Sequence, residues 1–145
     1  MVCGFFGHSD TPSVVYSQLC NIVENLIVSR GVSQFLVGTH GSFDSMVLKT
    51  LRQMKKKYPY ILYHVVLAYM PTEKRENALY QDIETLLPEG IETVPKRFAI
   101  SWRNQWMIRQ ADMIVCYITH SWGGAAQFVE YAKNKNREII RINLR

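Results

Sequence analysis

The sequence predicts an α/β fold: a Rossmann-like three-layer sandwich in which helices flank a mostly parallel sheet. Three observations lead there. Short apolar runs alternate with amphipathic segments of helical period along the whole chain, which is the pattern of strands joined by crossover helices. One of the runs, Ile61–Tyr69, is apolar almost throughout, as a strand covered on both faces should be. Three of the runs end in polar, glycine-bearing turns placed just before helices, where backbone N–H groups and a helix dipole favour an anion. At 145 residues the chain is expected to form one domain over 1–145.

Each element has its own signal. Val2–Phe6 reads as the first strand and Gly7–Asp10 as a loop. Thr11 and Pro12 open a helix whose stripe is Val15, Leu19, Ile22, Val23, Leu26 and Ile27, and Gly31 ends it. Gln34–Val37 is a second strand. Gly38–Ser42 turns into a helix over Phe43–Lys57, stopped by Pro59. Ile61–Tyr69 is the third strand and is expected to be central. Pro71–Gly90 holds a charged loop, the place most expected to lie open at Met70–Glu76, and a helix near Asn77–Leu87. Ile91–Val94 reads as a fourth strand. Ser101 is placed as the cap of a helix that runs to Gln110. Asp112–Thr119, a helix over Gly124–Asn134 and Glu138–Leu144 complete the series.

Hydrophobic residues make up 48% and charged residues 20%, a globular balance that sets disorder aside. No apolar run is long enough to span a bilayer, and the start lacks the charged end and cleavage site of a secretory signal. A cytoplasmic protein is expected. Cys3, Cys20 and Cys116 are an odd, widely spaced set without a CxxC, read as buried reduced thiols. The net charge is +5. Lys55–Lys57 and the group Lys133, Lys135 and Arg137 explain much of it, because cations near helix C-termini complement the dipole. A basic surface also attracts nucleic acid, but no motif of cations interleaved with aromatics is apparent, so nucleic acid is not expected as a partner.

The chemistry is expected at the carboxyl ends of the strands, at the switch in strand order. The glycine-bearing loops at such ends are Gly4–Asp10, Gly38–Asp44 and Thr119–Ala125. Gly4 and Gly7, with His8 and Ser9, form either a tight turn or a place where phosphate approaches; this is not GxGxxG. Gly38, Thr39, His40, Gly41 and Ser42 form either a turn or a second backbone cradle. Asp44 either caps the second helix or bonds a ligand hydroxyl. Arg103 and Asn104 are read at a helix start, where a cation works against the dipole and a guanidinium fork suits an anion. Trp102 and Trp106 share a helical face, for core packing or for stacking on a base. Glu130 is either a surface partner of Lys133 or a partly buried general acid or base. His8, His40 and His120 fall in strand-end loops, but their spacing matches no metal motif, so no metal or cofactor is expected.

The stretches VCGFFGHSD, GTHGSFD, RNQWMIRQAD and SWGGAAQFVEYA together resemble the SLOG superfamily, Rossmann-like proteins that include the Lonely Guy phosphoribohydrolases and the lysine-decarboxylase-like proteins. The chain looks closest to the small bacterial YpsA-like branch. Lonely Guy enzymes carry Arg-Lys before a strand and Pro-Gly-Gly-x-Gly-Thr-x-x-Glu after it. Arg103, Gly123, Gly124 and Glu130 match that pattern. Asn104 stands for the Lys, Trp122 for the Pro, Ala126 for the third Gly and Gln127 for the Thr. The resemblance implies a homodimer that binds a nucleotide-like ligand such as ADP-ribose or NAD. Gly123, Gly124, Ala125 and Ser121 would cradle phosphate and Arg103 would pair with it. Two alternatives stand beside this: hydrolysis of a nucleoside 5′-monophosphate, with Glu130 and Arg103 catalytic, and a protein-interaction module with a vestigial pocket.

Overall fold

The computed structural model describes residues 1–69, 83–120 and 122–143. Among the described residues six strands form one parallel sheet: β1 Val2–Gly7, β2 Gln34–Val37, β3 Leu62–Val66, β4 Thr85–Leu86, β5 Met113–Tyr117 and β6 Glu138–Arg141. Their order is β4-β3-β2-β1-β5-β6. Among the described residues the flanking helices are α1 Val15–Arg30, α2 Gly41–Lys57, α3 Lys96–Gln110 and α4 Gly124–Asn134. This is the α/β Rossmann-like architecture the alternating pattern predicts. No helix among them is long and apolar enough to cross a membrane.

The strand period of two divides the core. Phe5, Phe35 and Val115 point to one face and meet Leu19, Val23, Phe43 and Leu51 of α1 and α2. Their chain neighbours Phe6, Leu36, Ile114 and Cys116 point to the other, under Met107, Ile108, Val129 and Ala132 of α3 and α4. The most buried strand is β5, flanked by β1 and β6. All three cysteines are free thiols, and burial pushes that of Cys116 up to about 11, so it is inert at neutral pH.

Several boundaries differ from expectation for identifiable reasons. Helix α1 starts at Val15 and not at Thr11, because the Thr11 hydroxyl donates to the His8 carbonyl at 2.6 Å and Pro12 and Ser13 form turns. Strand β3 is second from the edge, and its first residue, Leu62, is 47% exposed. Ile91–Thr93 is a single 3₁₀ turn and not a strand, entered through Gly90 at φ 88°. The fourth strand is Thr85–Leu86, inside the span expected to be helical; residues 77–82 of that span lie outside the described residues, as does the loop expected at Met70–Glu76. Helix α3 opens after Pro95, so Ser101 lies inside it and is not its cap.

Gly7 closes the first strand against Phe43, which is fully buried. A Cβ at Gly7 would stand 2.3 Å from the Phe43 ring. Gly7→Ala is therefore expected to destabilise the protein by about 1–3 kcal/mol, the usual cost of overpacking. Urea unfolding checks this: the midpoint should fall with little change in slope, and an unmoved midpoint would mean that the ring gives way freely.

Candidate functional site

Strand order reverses between β1 and β5, since β2, β3 and β4 extend to one side of β1 and β5 and β6 to the other. A crevice opens beyond the carboxyl ends of strands at such a point. Here it is a cavity of about 520 Å³, bounded by the loops after β1, β2 and β5 and by α3.

Backbone and side-chain bonds tie the loops together. The Ser42 N–H donates to the Ser9 carbonyl at 2.9 Å, and the Ser42 hydroxyl donates to the Thr11 carbonyl at 2.9 Å. Gly41, at φ 90°, packs so closely on Ser9 that a Cβ would stand 2.5 Å from its Cα; a side chain there would be both strained and obstructed. The Thr119 N–H donates to His8 Nε2 at 2.9 Å, which joins the β1 and β5 loops. That bond makes Nε2 an acceptor and leaves the proton of the neutral ring on Nδ1.

Three rings then stack. His8 lies 3.8 Å from His120, centroid to centroid, and His120 lies 4.0 Å from Trp122. His120 Nδ1 bonds the Trp122 carbonyl at 2.8 Å, which fixes the turn. His8 is buried at the bottom of the stack, while Trp122 at the top is 70% exposed. Just beyond it, Gly123 at φ 92° leads into α4 without a side-chain cap, and Gly123, Gly124 and Ala125 at this helix start line the cavity.

The opposite wall is built on Arg103, whose side chain is only 1% exposed. Its guanidinium donates to Asn104 Oδ1 at 2.7 Å, Thr39 Oγ1 at 3.0 Å and the Val66 carbonyl at 2.8 Å, and reaches His40 Nδ1 at 3.4 Å. Arginine can only donate, so His40 Nδ1 accepts. Burial and the Arg103 charge hold the His40 pKa below its ordinary value. Asp44 accepts the His40 N–H at 3.0 Å at the start of α2. Burial pushes its carboxyl up to about 6, against the opposing pull of that bond and of Arg103. Gly38 is pinched between the two, with room for no Cβ: Asp44 Oδ2 would be 2.9 Å away.

Of the residues singled out in the sequence, the cavity wall includes Gly7, His8, Ser9, Gly38, His40, Asp44, Arg103, Asn104, Gly123, Gly124 and Ala125. Gly4, Thr39, Gly41 and Ser42 are not on the wall. Gly4 packs on Ile114, Thr39 holds Arg103, and Gly41 and Ser42 bind the Ser9 loop. Ser121 lies outside the described residues. Arg103 and Asn104 lie well inside α3, which begins at Lys96, so the argument from an unfavourable dipole at a helix start does not apply to them. Glu130 is exposed, pairs with Lys133 at 3.1 Å and borders a separate hollow with Ile118 and Arg141, not the cavity; it is not partly buried as the acid–base reading requires. Trp102 and Trp106 are both half-buried. Sequence reasoning missed the ring stack, although His120 and Trp122 beside the glycine pair were its signal. It also missed cation–aromatic pairs on α3, Arg97 on Phe98 and Arg109 on Trp102.

No family model matches the chain, and no curated protein matches it. Solved structures do. DNA processing protein A from Streptococcus pneumoniae superposes with a TM-score of 0.72 at 12% identity, over 96% of this chain and 49% of that one. DNA processing protein A from Helicobacter pylori, described for its unique single-stranded DNA binding mode, superposes with a TM-score of 0.72 at 9% identity, over 100% of this chain and 66% of that one. The chain thus spans about half the length of one relative and two thirds of the other. These likenesses carry the fold, and they correct four expectations. The resemblance to the YpsA-like, lysine-decarboxylase-like branch gives way, since the matched structures are of DNA processing protein A. Nucleotide sensing, N-glycosidic hydrolysis and the exclusion of nucleic acid all give way, because the matched structures are of a DNA-processing protein, one of them with single-stranded DNA binding as its subject.

Burial and the neighbouring His120 hold the His8 pKa below the ordinary 6.5. The folded state therefore binds its proton less readily than the unfolded chain. The contribution of His8 to stability is complete above about pH 6.5 and is lost as pH falls from there toward the lowered native value. Urea unfolding between pH 5 and 8 should show this loss in the wild type and a smaller one in His8→Gln; equal slopes would mean that His8 is not the group responsible.

Proposed function

We propose that this chain is a single Rossmann-like domain that binds single-stranded DNA across the carboxyl edge of its sheet. The observation that carries the reading is Trp122. A large aromatic ring left 70% exposed at the rim of the cavity, and backed by two stacked imidazoles, offers a flat face to an unpaired base. A base inside a duplex has both faces covered and cannot use it. Stacking on such a platform is sequence-tolerant, because every base has a π-face.

The remaining features suit the same ligand. The uncapped start of α4 at Gly123–Ala125 offers N–H groups and the positive end of a dipole to one backbone phosphate. Arg103 adds a fixed positive charge in the cavity wall, held by its hydrogen bonds so that little reorganisation is needed when an anion arrives. The net charge of +5 draws the polyanion in and releases its counterions. The likeness to a DNA processing protein described for its single-stranded DNA binding mode supports the reading from outside the chain.

Base–aromatic stacking contributes about 1–3 kcal/mol. Trp122→Ala should therefore weaken binding of a labelled oligothymidylate roughly 5- to 150-fold by anisotropy, and Trp122→Phe should recover most of it. Unchanged affinity in Trp122→Ala would overturn this use of the ring.

A further inference from the structure

We propose that the outer face of α3 is a second segment of the DNA track, over which the strand continues once it leaves the cavity. This rests on the single-stranded DNA reading above and adds a surface to it. Helix α3, KRFAISWRNQWMIRQ, contains four cations and no carboxylate. Arg103 is committed to the cavity wall. Lys96, Arg97 and Arg109 are exposed.

Two of those three lie in the first turn, where no acidic residue balances them. Cations there oppose the helix dipole, so α3 gains no stability from their charge; Lys96 rests over the Tyr69 ring at 5.2 Å, and Arg97 is placed to meet an external anion. Aromatic rings also lie beside Arg97 and Arg109. The Arg97 guanidinium lies 4.7 Å from the centroid of Phe98, which is 52% exposed. The Arg109 guanidinium lies 5.9 Å from the Trp102 ring and donates to the Tyr131 hydroxyl at 3.5 Å. Phe98, Trp102 and Arg109 are separated by four and seven residues and so share one face. At 1.5 Å per residue the stripe is roughly 16 Å long, enough for a few nucleotides.

The stripe starts where the strand would emerge. Because α3 feeds the beginning of β5, its first turn stands at the carboxyl edge of the sheet, and the same helix turns Ile100, Arg103 and Asn104 toward the cavity. An acidic protein would use the cations alone. Planar cations paired with rings suit a chain that carries phosphates beside stackable bases.

The test compares oligothymidylates of about 4 and about 15 nucleotides, lengths that span the range a single small domain covers. It measures each against the full chain and its Arg97→Glu/Arg109→Glu and Phe98→Ser variants. The expected result is a loss of about tenfold or more on the long oligonucleotide, little change on the short one, and a salt dependence for the double variant shallower by roughly 1.4 log units per log unit of salt, as for two phosphates of a single strand. Long-oligonucleotide binding that the variants leave intact, or equal losses on both lengths, would overturn the track while leaving the cavity reading in place. Wild-type protein that binds neither length would overturn both. Polyglutamate competing as strongly as DNA would assign the face to an acidic protein and overturn the track as well.

Discussion

The Arg103 guanidinium occupies a place where three pieces of chain must meet: α3, the loop after β2 and the end of β3. Burying a cation costs several kcal/mol in solvation unless its donors are taken up. Asn104, Thr39 and the Val66 carbonyl take them up, and Asp44 stands close enough for the two charges to act on each other. The cost is met only in this arrangement, so the charge dictates where the loop goes. Gly38 has to be glycine for Asp44 and Arg103 to flank it, and the His40 tautomer follows from the fact that arginine can only donate. Arginine alone among the side chains offers enough planar donors to hold three elements at once and remain charged.

The other wall follows from the first by way of the loop ties. Once α2 begins at Gly41, Ser42 fixes the loop after β1, and that loop carries His8. His8 in turn accepts from the Thr119 N–H and supports His120 and Trp122. One wall thus offers a fixed positive charge and the other a flat aromatic face beside a helix start. Anion and base are the two chemical halves of a nucleotide unit, and a single strand presents both repeatedly.

Much of this was visible in the chain beforehand, though unevenly. Strand β2 and helix α4 fall where their patterns place them, because each is short, bounded by glycine or polar residues and consistent with one period only. Strand β5 is almost as clear. The reading fails where local signals compete: Ile91 and Val94 look like strand residues but sit between a left-handed glycine and Pro95, and Ser101 looks like a cap but follows a stronger start at Pro95. The site was legible as loops and not as contacts. His8 and Thr119 are distant in sequence, and no spacing rule predicts that their loops touch. Glu130 could be read from the chain either as a surface partner of Lys133 or as a partly buried acid or base, and the turn of α4 gives it the first of these places. The interleaving of cations and rings on α3 was present in the sequence, but it emerges only once Arg103 is known to face inward and Arg97 and Arg109 outward.

The most direct test of single-strand recognition is a competition between an oligothymidylate and a fully paired hairpin with the same number of nucleotides, at one salt concentration and with tryptophan emission as the readout. Charge alone would not favour the single strand, whereas an exposed ring that needs an unpaired base would. The account predicts quenched emission and preference for the single strand by roughly tenfold or more, the equivalent of one stacked base. Equal or tighter binding of the hairpin, or no binding of either, would contradict it.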